Sequence, residues 1–115
     1  MSKTRSDLIY RALRNLGVLP QGQTPASEEY QSVSDVLDSL VVELRERDVV
    51  LISDIDVLDD KFFLPMGMIL ANAVKDEFGA GADQMLEAKA AQVEGKLRRL
   101  EAQSYTRKPL EVNYF

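Results

Sequence analysis

The chain has 115 residues, no cysteine, histidine or tryptophan, and a net charge of −5 from 14 basic and 19 acidic side chains. That length fits one domain, and an apolar fraction of 45% argues for a packed core over a disordered chain. The missing residue types exclude disulfides, thiolate nucleophiles, sulfur-rich zinc sites and His-based relays, and the acidic total disfavours a general nucleic-acid binder.

The N-terminus turns amphipathic at once, without the apolar run of a signal peptide. A first helix is predicted from about residue 5 to residue 16. Thr4 caps it with Asp7 three residues on, and Leu8, Ile9, Ala12, Leu13 and Leu16 share one face. Gly17 stops it as a left-handed residue, and Leu19-Pro20-Gln21-Gly22 makes a turn.

The second helix is expected to start with Thr24 as cap and Pro25 in the first helical position, and to end near Asp48. Tyr30, Val33, Leu37, Leu40 and Leu44 form the seam of a helix packed lengthwise on another. Asp35, Asp38, Glu43 and Glu46 occupy the opposite face. Residues 49–64 change character. Val49 to Ile52 is apolar, and Asp54-Ile55-Asp56-Val57 alternates with period two, which reads as extended chain over about 49–58. One strand is not stable alone, so it must lie on the bundle or pair with another chain.

A third helix is predicted from near Pro65 to Phe78, burying Met66, Ile69, Leu70, Ala73, Val74 and Phe78. The fourth, roughly Ala82 to Gln103, carries a second seam of Leu86, Ala90, Val93, Leu97 and Leu100. Helices two and four are then long antiparallel partners, with one and three closing the core. The fold class is all-α, an antiparallel four-helix bundle. Residues 1–103 form the helical domain and 104–115 an extended C-terminal arm, broken by Pro109. That arm either folds back as a strap or docks on a neighbour.

Candidate chemistry is sparse. Asp54, Asp56, Asp59 and Asp60 miss the calcium-loop pattern, because Leu58 and Asp59 stand where an oxygen ligand and a glycine belong. Gly79-Ala80-Gly81 follows a helix and lacks the third glycine of a dinucleotide fingerprint. No spacing fixes a pair of carboxylates for acid–base work, so the reading is no enzyme, no cofactor and no metal. Charge is more informative. Residues 28–60 hold eleven acids against Arg45 and Arg47, a net −9, and residues 96–110 carry a net +4. Such a division suits head-to-tail self-association or docking to an acidic protein. A DNA-binding reading would use Lys96, Arg98, Arg99, Arg107 and Lys108 on phosphates, against the opposition of the acidic segment.

Arg5-Ser6-Asp7-Leu8-Ile9, Arg11-Ala12-Leu13 and Leu16-Gly17-Val18-Leu19 lead into a Gly/Pro loop and a long acidic helix. A β-prone segment follows, then Phe63-Leu64-Pro65, Ala71-Asn72-Ala73 and Phe78-Gly79. This arrangement resembles the head-to-tail adaptors of short-tailed phages, the tail accessory or packaged-DNA stabilisation factors. The resemblance implies a structural virion protein at the head–tail junction, made in the host cytoplasm. It implies a ring, usually of twelve copies, that sits below the portal protein, extends the DNA channel, retains packaged DNA and offers a platform for a tail or nozzle protein. DNA passes through without specific recognition, and neither membrane nor cofactor is involved. The matching docking arm for portal or neighbour is Tyr105, Arg107, Lys108, Pro109, Leu110, Val112, Tyr114 and Phe115. Asp35, Asp38, Glu43 and Glu46 are the candidate acidic channel or subunit-contact face. Ile52, Asp54, Ile55, Asp56 and Val57 are the candidate inter-subunit loop. The alternative is a small helical protein-binding regulator or scaffold.

Overall fold

The computed structural model describes residues 2–19, 23–78 and 84–107, the side chains of the last five excepted. Among these residues the chain is mostly helical, with four α-helices and one two-stranded pairing. The order is β1 (Ser2–Lys3), α1 (Arg5–Asn15), α2 (Ser27–Glu46), β2 (Leu58–Asp59), α3 (Asp60–Val74), a 3-10 turn (Lys75–Phe78) and α4 (Gln84–Arg107).

The start of α1 follows from its first residues. The Thr4 hydroxyl accepts from the Asp7 amide at 3.2 Å, and the Asp7 carboxylate accepts from the Thr4 amide at 3.0 Å. Two otherwise orphaned donors are thereby satisfied. Its end is a Schellman motif: the Gly17 amide reaches the Arg14 carbonyl and the Val18 amide the Leu13 carbonyl. Gly17 sits at φ +77°, as its type allows.

Helix α2 begins two residues later than expected. Thr24 is not the cap; Ala26 is, and its amide donates to Glu29 Oε1 at 3.3 Å. The helix ends in a second Schellman motif, with Asp48 donating to the Arg45 carbonyl and Val49 to that of Leu44. Here the left-handed residue is Asp48, at φ 57°. A side chain at that conformation is strained, and an anion faces the negative end of the helix dipole. Asp48→Gly is therefore expected to raise stability by about 0.5–1 kcal/mol, read from the denaturant midpoint.

Helix α3 departs furthest from expectation. It starts at Asp60, with Asp59 as cap accepting from the Lys61 amide at 3.1 Å, so Pro65 lies inside the helix instead of opening it. Pro65 has no N–H for the carbonyl four residues back. The β1–β2 pairing, Ser2 opposite Asp59 and Lys3 opposite Leu58, holds the chain just before the helix. Lys3 also lies over the Phe63 ring at 5.1 Å. These contacts support a first turn that local propensity opposes.

α3 is buried on several sides: Pro65, Met66, Gly67, Ile69, Leu70, Ala71 and Val74 are all inside, whereas Ala73 is exposed and Phe78 half-buried. It packs along α4 and α1 and more briefly on α2. The expected lengthwise pairing of helices two and four within the chain does not occur; α3 takes that central place. The reason is composition, since α3 is the most apolar of the four helices and has the widest face to cover. Leu37, Leu44, Leu86 and Leu97 from the two amphipathic helices complete the core with Leu8, Ile9 and Leu13.

The crossing of α1 over α3 is close. A Cβ added at Gly67 would stand 2.8 Å from Arg11 Cγ, near the root of that side chain. Alanine at an unobstructed helix position gains about 1 kcal/mol over glycine. Overpacking costs about 1–3 kcal/mol and wins here. Gly67→Ala is expected to lower stability by about 1 kcal/mol, with a matching fall in denaturant midpoint.

Candidate subunit-contact surfaces

The predicted inter-subunit loop is held on its own chain. Ile55 is buried and Ile52 packs on the core, so these two apolar residues of the segment face inward. Only Leu58–Asp59 pairs as strand, and its partner is β1. Asp54 accepts from the Asp56 amide at 3.0 Å, shaping a turn. Asp56 then meets Arg5 Nε at 2.9 Å. Val57 is left outside, 60% exposed.

Arg5 is a three-way clamp that the sequence reading missed. Its guanidinium bridges Asp38 on α2 at 2.9 Å and Asp56 in the loop, and donates to the Ser34 hydroxyl at 3.0 Å. Burial lowers its pKa, but the bonds to Asp56 and Asp38 outweigh that and hold the group above its usual value. Nothing local marks Arg5, because its partners lie 29 and more residues away. Beside it, the Ser6 and Tyr30 hydroxyls share a hydrogen bond of 2.8 Å.

The acidic face of α2 is thus divided. Asp38 is tied to Arg5, Glu43 pairs with Arg47 at 3.2 Å, and Asp35 accepts from Gln31 at 2.9 Å. Glu46 is exposed. Val42, 49% exposed, stands among these acids; the sequence reading passed over it, although an apolar residue one helical turn from Asp38 and Glu46 was a visible signal.

Helix α4 separates its charges by side. Glu87, Glu94 and Glu101 recur every seven residues and all turn toward the rest of the chain. Glu87 pairs with buried Lys75 at 2.9 Å, which also donates to Asn72 at 2.7 Å. Glu94 takes Arg47 at 2.6 Å, and Glu101 accepts from the Leu51 amide at 3.4 Å. The Glu94 carboxylate, with Glu43 adding, holds the Arg47 guanidinium above its ordinary pKa. Lys89, Lys96, Arg98 and Arg99 are exposed, and no carboxylate among the described residues pairs with them.

The predicted C-terminal arm needs a correction. α4 continues through Ser104, Tyr105 and Arg107, because the first breaker is Pro109 and it disfavours helix only from the residue before it. The boundary at 103 therefore falls inside a helix. Lys108, Pro109, Leu110, Val112, Tyr114 and Phe115 lie outside the described residues. So do Gly79 and Gly81 of the glycine-rich turn.

A groove of about 410 Å³ opens between the end of α2 and α4, lined by Arg45, Asp48, Val50, Leu51 and Glu101. Among the described residues no group of acids is arranged to hold a metal ion, and no helix is long and apolar enough to cross a membrane. The chain matches no protein-family model, no curated protein and no solved structure.

Proposed function

We propose that this chain is a structural subunit of a head-to-tail adaptor: an antiparallel four-helix bundle that assembles into a ring below a phage portal, continues the DNA channel and carries the tail. The observation that supports this reading best is the separation of charge onto different helices. A closed ring is built from heterologous contacts, in which two unlike surfaces of one subunit meet on successive copies. The exposed acids of α2 and the exposed cations of α4 are two such surfaces. The residues that resemble the adaptor family, from Arg5 to Leu19 and from Phe63 to Gly79, agree with it.

The test is assembly. Purified chain mixed with the portal protein encoded beside it is expected to co-sediment as a ring of fixed stoichiometry. A small oligomer that ignores the portal would favour the regulator or scaffold reading instead.

A further inference from the structure

The outward faces of α2 and α4 share a register. Counting back along α2, Val42, Asp38, Asp35, Gln31 and Glu28 fall at steps of four, three, four and three residues. Counting forward along α4, Met85, Lys89, Gln92, Lys96 and Arg99 fall at the same steps. All ten residues are exposed, and this alternation is the spacing of a helix–helix seam. Within one chain the two helices hardly meet. We infer that α2 of one copy docks antiparallel along α4 of a second copy in this register.

The chemistry pairs at each level. Val42 meets Met85, two apolar side chains left 49% and 71% exposed in the single chain. Asp38, whose carboxylate also holds Arg5 but stays 60% exposed, meets Lys89; Asp35 meets Gln92, Gln31 meets Lys96, and Glu28 meets Arg99. Reversed direction would lose most of this: with Val42 kept on Met85, a parallel pairing places Glu46 on Lys89 and then runs out of helix, since α2 ends there. The α4 cations are available because Glu87, Glu94 and Glu101 have turned to the chain's own Lys75, Arg47 and Leu51. On the ring reading α2 of each copy meets α4 of the next, a heterologous contact. The inference rests on the ring reading and assigns its subunit seam, which takes the α2 acids out of the channel wall.

The natural absence of cysteine makes the register directly testable. The double variant Val42→Cys, Met85→Cys is expected to form disulfide-linked oligomers under oxidising, low-salt conditions. The pair Val42→Cys, Arg99→Cys lies about 20 Å out of register at 1.5 Å per residue and should stay monomeric on the same gel. Adding Lys96→Glu and Arg99→Glu to the first pair should abolish cross-linking, with circular dichroism unchanged. Mixing that chain with one carrying Glu28→Lys and Gln31→Lys beside the cysteines, the positions that face 99 and 96 in this register, should restore it. Cross-linking that is absent, or indifferent to the charge reversal, overturns the seam. So does a basic face whose reversal removes only binding to duplex DNA. Portal co-sedimentation of the same variants separates the two readings. Cross-linking without portal binding sinks the adaptor and keeps the seam; portal binding without cross-linking does the reverse.

Discussion

Leu70→Ala is expected to cost about 3 kcal/mol, inside the range of about 2–5 kcal/mol for truncating a buried leucine. Leu70 is fully buried on α3, the helix that α1, α2 and α4 all cover. Rigid neighbours on several sides leave the cavity little chance to collapse, and the cost of such a substitution grows with the volume left open. Against a total stability of about 5–15 kcal/mol, this one change removes a large share. A domain of this size should melt roughly 10–20 °C lower, measured by scanning calorimetry. Leu64→Ala on the same helix supplies the control. Leu64 is 63% exposed, so its truncation should stay within about 0.5 kcal/mol. Equal losses at both positions would mean that α3 is not the covered centre.

Arg5→Met should cost about 2 kcal/mol and act locally. The substitution keeps the stem and removes bonds to Asp38, Asp56 and Ser34. Asp38 and Asp56 return to water, being about 60% and 65% exposed, so each ion pair contributes only about 0.5–1 kcal/mol. Ser34 is buried and loses its partner, which adds about 1 kcal/mol. Amide exchange in residues 54–58 should quicken well beyond the global change, since Asp56 ties that loop to α1. Arg5→Lys should rescue little, because one ammonium does not span three partners as a planar guanidinium does. High salt should weaken the wild type toward the variant. The raised pKa of Arg5 sets the pH behaviour. Its contribution is complete below the unfolded value and is lost only as pH rises through the folded one, so Arg5 itself confers no pH dependence near neutrality.

Much of the fold is legible in local pattern. The Thr4–Asp7 box, the left-handed Gly17 and the apolar stripes of α1, α2 and α4 are all written in short-range spacing. Hydrogen bonds within a helix and its caps span only a few residues, so neighbouring residue types decide them. The Schellman end of α2 was harder to see, because Asp48 stands where glycine is the usual signal. Of the candidate surfaces, the acids of α2 and the cations of α4 were visible as charge. Their division into residues tied inside the chain and residues left outside was not.

That division belongs to the tertiary structure. Whether Asp38 or Glu94 faces solvent depends on Arg5 and Arg47, residues brought close only by packing. The same holds for α3. Local propensity starts it at Pro65, yet the helix begins at Asp60, where the Asp59 cap and the β1–β2 pairing hold its first turn. Its place between α1 and α4 follows from how much apolar surface it must cover, a sum over the whole chain that no window of residues contains. Composition, the two caps of α1 and the helical stripes were thus decided by the sequence alone, through interactions a few residues long. The order of packing, the Arg5 clamp and the outward faces of α2 and α4 were decided by contacts that exist only once the chain is folded.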